Sequence, residues 1–180
     1  DYDNDVRNYC YSKSYIIEPV VWAIVKKDDD ELVKVEKLLK WAVQNIKYTP
    51  DLVSKKKNDY WQDAEETISS LTGDCDDMSI LLYCMLRIIG VPEWRVKIAC
   101  GLVEDPLNSI ERIGHAYGLY LKDDEWFTVD AAYFSGESYS RLLQKTPHNK
   151  ATRYQEIWFS FNEEFSYSGS SVELSGRVKQ

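Results

Sequence analysis

Asp74-Cys75-Asp76-Asp77-Met78-Ser79-Ile80-Leu81-Leu82-Tyr83-Cys84-Met85-Leu86-Arg87-Ile88-Ile89-Gly90 is the stretch that decides the fold. From Met78 to Ile89, ten of the twelve residues are apolar or aromatic, and only Ser79 and Arg87 interrupt the run. A helix that is apolar nearly all round has to be buried on most sides. This one is too short, and too closely flanked by charge, to span a bilayer. Gly90 offers a C-terminal stop, and Pro92 stands where a helix cannot continue. At the other end Gly73 permits a sharp turn, Asp74 can cap, and Asp76 and Asp77 suit the positive end of the helix dipole. Cys75 therefore falls at the mouth of a central buried helix, where unpaired backbone N–H groups point outward. A thiol there ionises more readily than a free one, and the thiolate is the nucleophile. The same residues also fit a small core cysteine at a well-capped helix start.

The chain has 180 residues, enough for one domain with a sizeable core. Its net charge of −8 argues against nucleic acid and anionic membrane surfaces as partners. An apolar fraction of 44%, with 13 tyrosines and 6 tryptophans, is that of a folded globule. No signal peptide or spanning segment is recognisable. The chain starts at Asp1 rather than Met, as it would if a leader or upstream domain had been removed, and this leaves localisation open. Cys10, Cys75, Cys84 and Cys100 have no zinc-type spacing, and only His115 and His148 could help them. Cys84, in the apolar helix, and Cys100, in an apolar strand, read as inert core residues.

Residues 1–15 read as a polar arm, and Ile16–Val25 as a β-rich or mixed apolar stretch holding Pro19. Asp28 and Glu31 have capping-box spacing ahead of Leu32, Val35, Leu39, Ala42 and Ile46, which recur at helical intervals and predict a helix over 31–47. Tyr48-Thr49-Pro50-Asp51 ends it, and a lysine-rich loop with Lys55, Lys56 and Lys57 follows. Asp63 and Glu66 predict a second capped helix, running to about Leu71. Beyond Pro92 the pattern becomes β: strands over 95–103, 113–121, 125–133 and 154–165, a loop over 104–111, a short helix over 137–145 and a loose tail over 166–180. Helices first and strands later predict an α+β fold with an antiparallel sheet, in a single domain over 1–180 whose core spans about 31–165.

A turn centred on Asp123-Asp124 pairs Leu121 with Trp126 and Leu119 with Thr128, and sets Tyr117 opposite Asp130. His115 and Asp130 then project from one face, a diagonal step apart, within reach of long side chains; a one-residue slip would separate them. Taken singly, His115 fits a satisfied, partly buried histidine and Asp130 a strand-end turn former. With Cys75 against that face they supply nucleophile, base and orienting acid from three elements.

Gly73-Asp74-Cys75-Asp76-Asp77 with Leu81-Leu82 and Leu86-Arg87, then Gly114-His115-Ala116-Tyr117, then Trp126-Phe127-Thr128-Val129-Asp130-Ala131, resembles the transglutaminase-like superfamily. Asn45-Ile46-Lys47-Tyr48, Trp61-Gln62 and Glu65-Glu66-Thr67 are similar to its microbial members, so the likeness covers roughly residues 38–133. The resemblance implies a papain/transglutaminase-like core, with a buried helix carrying Cys75 packed on an antiparallel sheet carrying His115 and Asp130. It implies cysteine-dependent acyl transfer on protein or peptide amides through a thioester, ending in hydrolysis or amine transfer. The backbone N–H of Cys75 is the natural oxyanion donor, with Trp61 or Gln62 as the side-chain candidate. No cofactor is required by this chemistry. Some cysteine peptidases of this kind bind calcium through acids beside the cysteine, and Asp74 and Asp76 resemble that arrangement, although helix capping accounts for them as well. The competing reading is a non-catalytic protein-interaction module that retains the fold, which a Cys75 sealed from solvent would favour. A transition-metal site is excluded by the ligand set. Substrate and oligomeric state are not readable.

Overall fold

A computed structural model describes residues 5–50, 60–105, 107–132 and 153–168. Helices α1 (Ile17–Ile24), α2 (Glu31–Asn45), α3 (Ala64–Ser70) and α4 (Cys75–Ile88) precede the main sheet. Two short strands, β1 (Lys47–Tyr48) and β2 (Thr72–Gly73), pair in parallel. Strands β3 (Val96–Asp105), β4 (Asn108–Lys122), β5 (Glu125–Val129), β6 (Tyr154–Phe161) and β7 (Ser166–Ser168) form an antiparallel sheet in the order β5-β4-β3-β6-β7. This is the expected α+β architecture, with the cysteine-bearing helix packed on the sheet.

Helix α4 is the hub. Every residue from Asp76 to Leu86 is buried, as an all-round apolar sequence demands. Its end is a Schellman motif: Val91 N–H donates to Leu86 O and Gly90 N–H to Arg87 O, with Gly90 at a φ of 103° that a glycine adopts without strain. One face of the sheet packs on α4 through Val96, Ile98, Cys100, Ala116 and Tyr120. The other face carries Ala99, Val103, Tyr117, Leu119, Leu121, Trp126 and Tyr154. The β4–β5 register is the expected one, with Leu121 opposite Trp126 and Leu119 opposite Thr128. Asp123 and Asp124 both have positive φ, as a two-residue type I′ turn requires. Among the described residues no helix is long and apolar enough to cross a membrane.

Several expectations are corrected. Residues 17–24 form a helix, because Ser14 caps it by accepting from the Ile16 and Ile17 N–H groups, and Pro19 lies in the first turn, where its missing N–H costs nothing. The supposed arm is tied to the core over its described part: Cys10 and Ser14 are buried, Ser14 donates to Glu65, and the Tyr11 hydroxyl accepts from the Glu65 N–H. Ile17 and Val21 belong to the same cluster as α4, so the core starts well before residue 31. Asp28 does not cap α2, whose N-cap is Asp30; Glu31 is drawn instead to Arg95 and Tyr120. Asp63 does cap α3, accepting from the Glu66 N–H at 2.9 Å. The expected loop over 104–111 is mostly strand, with an irregular register after Glu104. Ser166–Ser168 adds an edge strand where a tail was expected. Lys55–Lys57, the helix over 137–145, His148 and residues 169–180 lie outside the described residues.

Candidate functional site

The loop entering α4 is held by Asp77. Its Oδ1 accepts from the Gln62 N–H at 2.7 Å, and its Oδ2 accepts from Gln62 Nε2 at 3.0 Å and from the Asp74 N–H at 3.1 Å. The last contact is the reach-back half of a capping box. Gly73 owes its place to this carboxylate rather than to a special backbone angle: a Cβ there would lie 2.8 Å from Asp77 Cβ. Pairing of Tyr48 with Gly73 brings β1 alongside the same loop.

Cys75, the first residue of α4, is half-buried. Its sulfur lies 3.8 Å from Asp76 Oδ1, and the backbone N–H of Ala116, the residue after His115, is near enough to favour the thiolate. Pairing of β5 with β4 ends at Gly118↔Val129, so the sulfur meets β4 just beyond the end of β5. His115 and Asp130 are both buried, and Nε2 of the imidazole lies 2.7 Å from Asp130 Oδ2. The helix mouth therefore adjoins the part of β4 that carries His115, and Asp130, just past the end of β5, is near enough to act on the thiol.

Burial, then the charge of Asp76, pushes the Cys75 thiol well above its usual range; the Ala116 N–H opposes this, while Asp74 and Asp130 add to it. Asp76 is pushed up to about 10 by burial first and by its hydrogen bond to Asp74 second. Asp76 Oδ2 is buried without a hydrogen-bond partner among the described residues. Donor atoms of Asp74, Cys75 and Asp76 lie within 4.8 Å of one another. Asp77, by contrast, has both oxygens engaged in holding the loop.

Gln62 is not placed as an oxyanion donor. Its amide is directed to Thr72 O at 2.9 Å as well as to Asp77, so it braces the loop instead. Trp61 stacks on Phe161 at 5.8 Å and meets Tyr9 edge-on at 5.4 Å, in the aromatic layer beside the core. Two residues not singled out from the sequence do reach the site. Tyr154 donates from its phenol to Asp130 Oδ2 at 2.9 Å. The Tyr48 phenol, pushed up to about 12 by burial and then by Cys75, Asp74, Asp76 and Asp130, faces those groups from β1.

A family model described as transglutaminase-like superfamily matches residues 19–131. The chain belongs to the transglutaminase-like superfamily. Among solved structures it is similar to calcium-bound LapG of Legionella pneumophila, with 20% identity over 83% of this chain and 74% of that one and a TM-score of 0.63. It is similar to the EGTA-treated form of LapG, with 21% identity over 89% and 77% and a TM-score of 0.60. A candidate cysteine protease from Cytophaga hutchinsonii matches with 17% identity over 89% of this chain and 48% of that one, at a TM-score of 0.55. At these identities the likeness is one of fold. No curated protein matches the chain by sequence.

Proposed function

We propose that the protein is a cysteine-dependent hydrolase or acyltransferase acting on amides of proteins or peptides, with Cys75 as nucleophile, His115 as general base and acid, and Asp130 as the group that orients the imidazole. One observation carries the reading: the His115–Asp130 pair, closed at 2.7 Å, adjoins the β4 residue whose N–H acts on the Cys75 sulfur. Asp130 occupies Nε2, so exchange of the thiol proton falls to Nδ1. The sulfur attacks the amide carbon as its proton passes to His115. Collapse of the tetrahedral intermediate breaks the C–N bond, and the amine leaves with that proton. The resulting thioester is released to water or to an incoming amine, with His115 accepting the attacking group's proton. The Cys75 backbone N–H at the helix mouth is the oxyanion donor in this scheme.

Burial first, and the nearby carboxylates after it, disfavour the thiolate at Cys75. His115 therefore has to take the proton as the bond forms, rather than share it beforehand. Asp74 and Asp76 fit a calcium ion in part: Asp76 brings a buried oxygen without a hydrogen-bond partner among the described residues, and Asp74 lies beside it. A bound divalent cation would supply compensation for negative charge next to the thiol. A half-buried rather than sealed Cys75 favours the enzyme over an interaction module.

The test is incubation with a denatured protein pool, with and without a primary amine, read by mass spectrometry as cleavage, deamidation or amine incorporation. Wild-type protein should give one of these, and Cys75→Ala none. Product formation by Cys75→Ala at the wild-type rate would sink the reading.

A further inference from the structure

We propose that Tyr154 is a positioning residue of this site: its phenol, reaching in from β6, fixes the Asp130 oxygen that holds His115. The inference rests on the functional reading above for its significance, but not for its geometry. A carboxylate oxygen can only accept, so the 2.9 Å contact is a hydrogen bond donated by the phenol to Asp130 Oδ2. That is the oxygen 2.7 Å from His115 Nε2. One acceptor atom therefore serves two donors from different strands, and the carboxyl group cannot rotate without breaking both bonds.

The ring is set by its neighbours. Tyr154 is buried, and its ring centroid lies 4.5 Å from that of Tyr117. Tyr117 in turn stacks with the His115 imidazole at 6.0 Å. His115, Tyr117, Tyr154 and Asp130 form a closed circuit of two ring contacts and two hydrogen bonds. The Thr128 hydroxyl, on β5, acts on the phenol as a neighbour that favours its ionised form, and so strengthens it as a donor to Asp130. The titratable groups facing Asp130 from the elements around it are Cys75 on α4, Tyr48 on β1, Tyr117 on β4 and Tyr154 on β6.

Two donors on one oxygen compete for its electron density. Removing the phenol hydroxyl leaves Oδ2 more basic, so the imidazolium is held more tightly. The chain has two histidines, and His148→Gln leaves His115 as the one imidazole to observe. In that background Tyr154→Phe should raise the His115 titration midpoint, followed by NMR, by on the order of one pH unit. Thr128→Val should raise it less. A purely structural role for Tyr154 would lower the melting temperature and leave the midpoint in place. An unchanged or lowered midpoint in folded Tyr154→Phe overturns the proposal, and if that variant does not fold, the same result in Thr128→Val does. Failure of Cys75 to react with iodoacetamide in the wild-type protein would sink the functional reading instead, while the titration would still report on Tyr154.

Discussion

Asp77→Asn should cost the fold about 3–5 kcal/mol, a large part of the roughly 5–15 kcal/mol that a domain has. Asp77 is almost wholly buried and takes three donors: the Gln62 N–H, Gln62 Nε2 and the Asp74 N–H. Asparagine keeps one acceptor oxygen and puts an NH2 group in place of the other. Whichever way the amide turns, a donor faces a donor. If the oxygen stays on the Gln62 N–H, two hydrogen bonds to a charged acceptor are lost, each worth about 1.5–3 kcal/mol. Removing the charge also removes the push that Asp77 exerts on Asp76, but Asp76 is held in its neutral form near pH 7, so this returns little. Urea unfolding followed by tryptophan fluorescence measures the balance. With a slope of about 2 kcal/mol per molar urea, the midpoint should fall by roughly 2 M. A fall below about 0.5 M at unchanged slope would refute the view that this carboxylate holds the mouth of α4.

Burial and then the hydrogen bond with Asp74 push Asp76 up to about 10 in the fold, from an ordinary carboxylate value of about 3.9, so folding favours its neutral form; its contribution is complete below about pH 4 and is lost as pH rises toward 10. In calcium-free buffer the melting temperature should fall between about pH 5 and pH 9, and Asp76→Asn should flatten that fall. If Asp74 and Asp76 hold calcium, adding the ion at neutral pH should raise the wild-type melting temperature and leave that of Asp76→Asn in place. Gly101→Ala should cost about 1–3 kcal/mol in urea unfolding, because the new Cβ would sit 1.9 Å from Glu156 O and force β6 away from β3.

The parts of the fold that were legible are those where one local signal is strong enough to survive any packing. The α4 run is too apolar to lie anywhere but inside, and Gly90 with Pro92 fixes where it stops. Asp123-Asp124 admits a tight turn, and the turn sets the register that puts His115 and Asp130 on one face. The misread parts are those where local composition points one way and a distant contact another. Val20, Val21, Trp22 and Ile24 are β-formers by type, yet Ser14 caps them into a helix. Glu31 has the spacing of a capping-box partner, but Arg95 and Tyr120 draw it to the hairpin. Gln62 is an oxyanion candidate only by resemblance to related folds, and its bonds to Asp77 and Thr72 follow only from how the cysteine loop closes. Tyr154 left no local signal. It stands on a strand that does not pair with β4, and only the sheet order brings it to Asp130.

The electrostatics of the mouth carry the last step. A helix start and a backbone N–H favour a thiolate at Cys75, but both are dipoles, and they act against burial first and then against the full charges of Asp74 and Asp130. Full charges win at comparable range. The resting state that follows is a thiol beside a carboxyl group that keeps its own proton. Under the proposed mechanism such a site does not bring its nucleophile ready-made, and turnover depends on His115 being held in place to accept a proton at the moment of attack. That requirement gives the order of importance among the surrounding residues. Groups that hold the imidazole, first Asp130 and through it Tyr154, should govern the rate more than groups that touch the sulfur, which is the reverse of what the cysteine's place at a helix end alone would suggest.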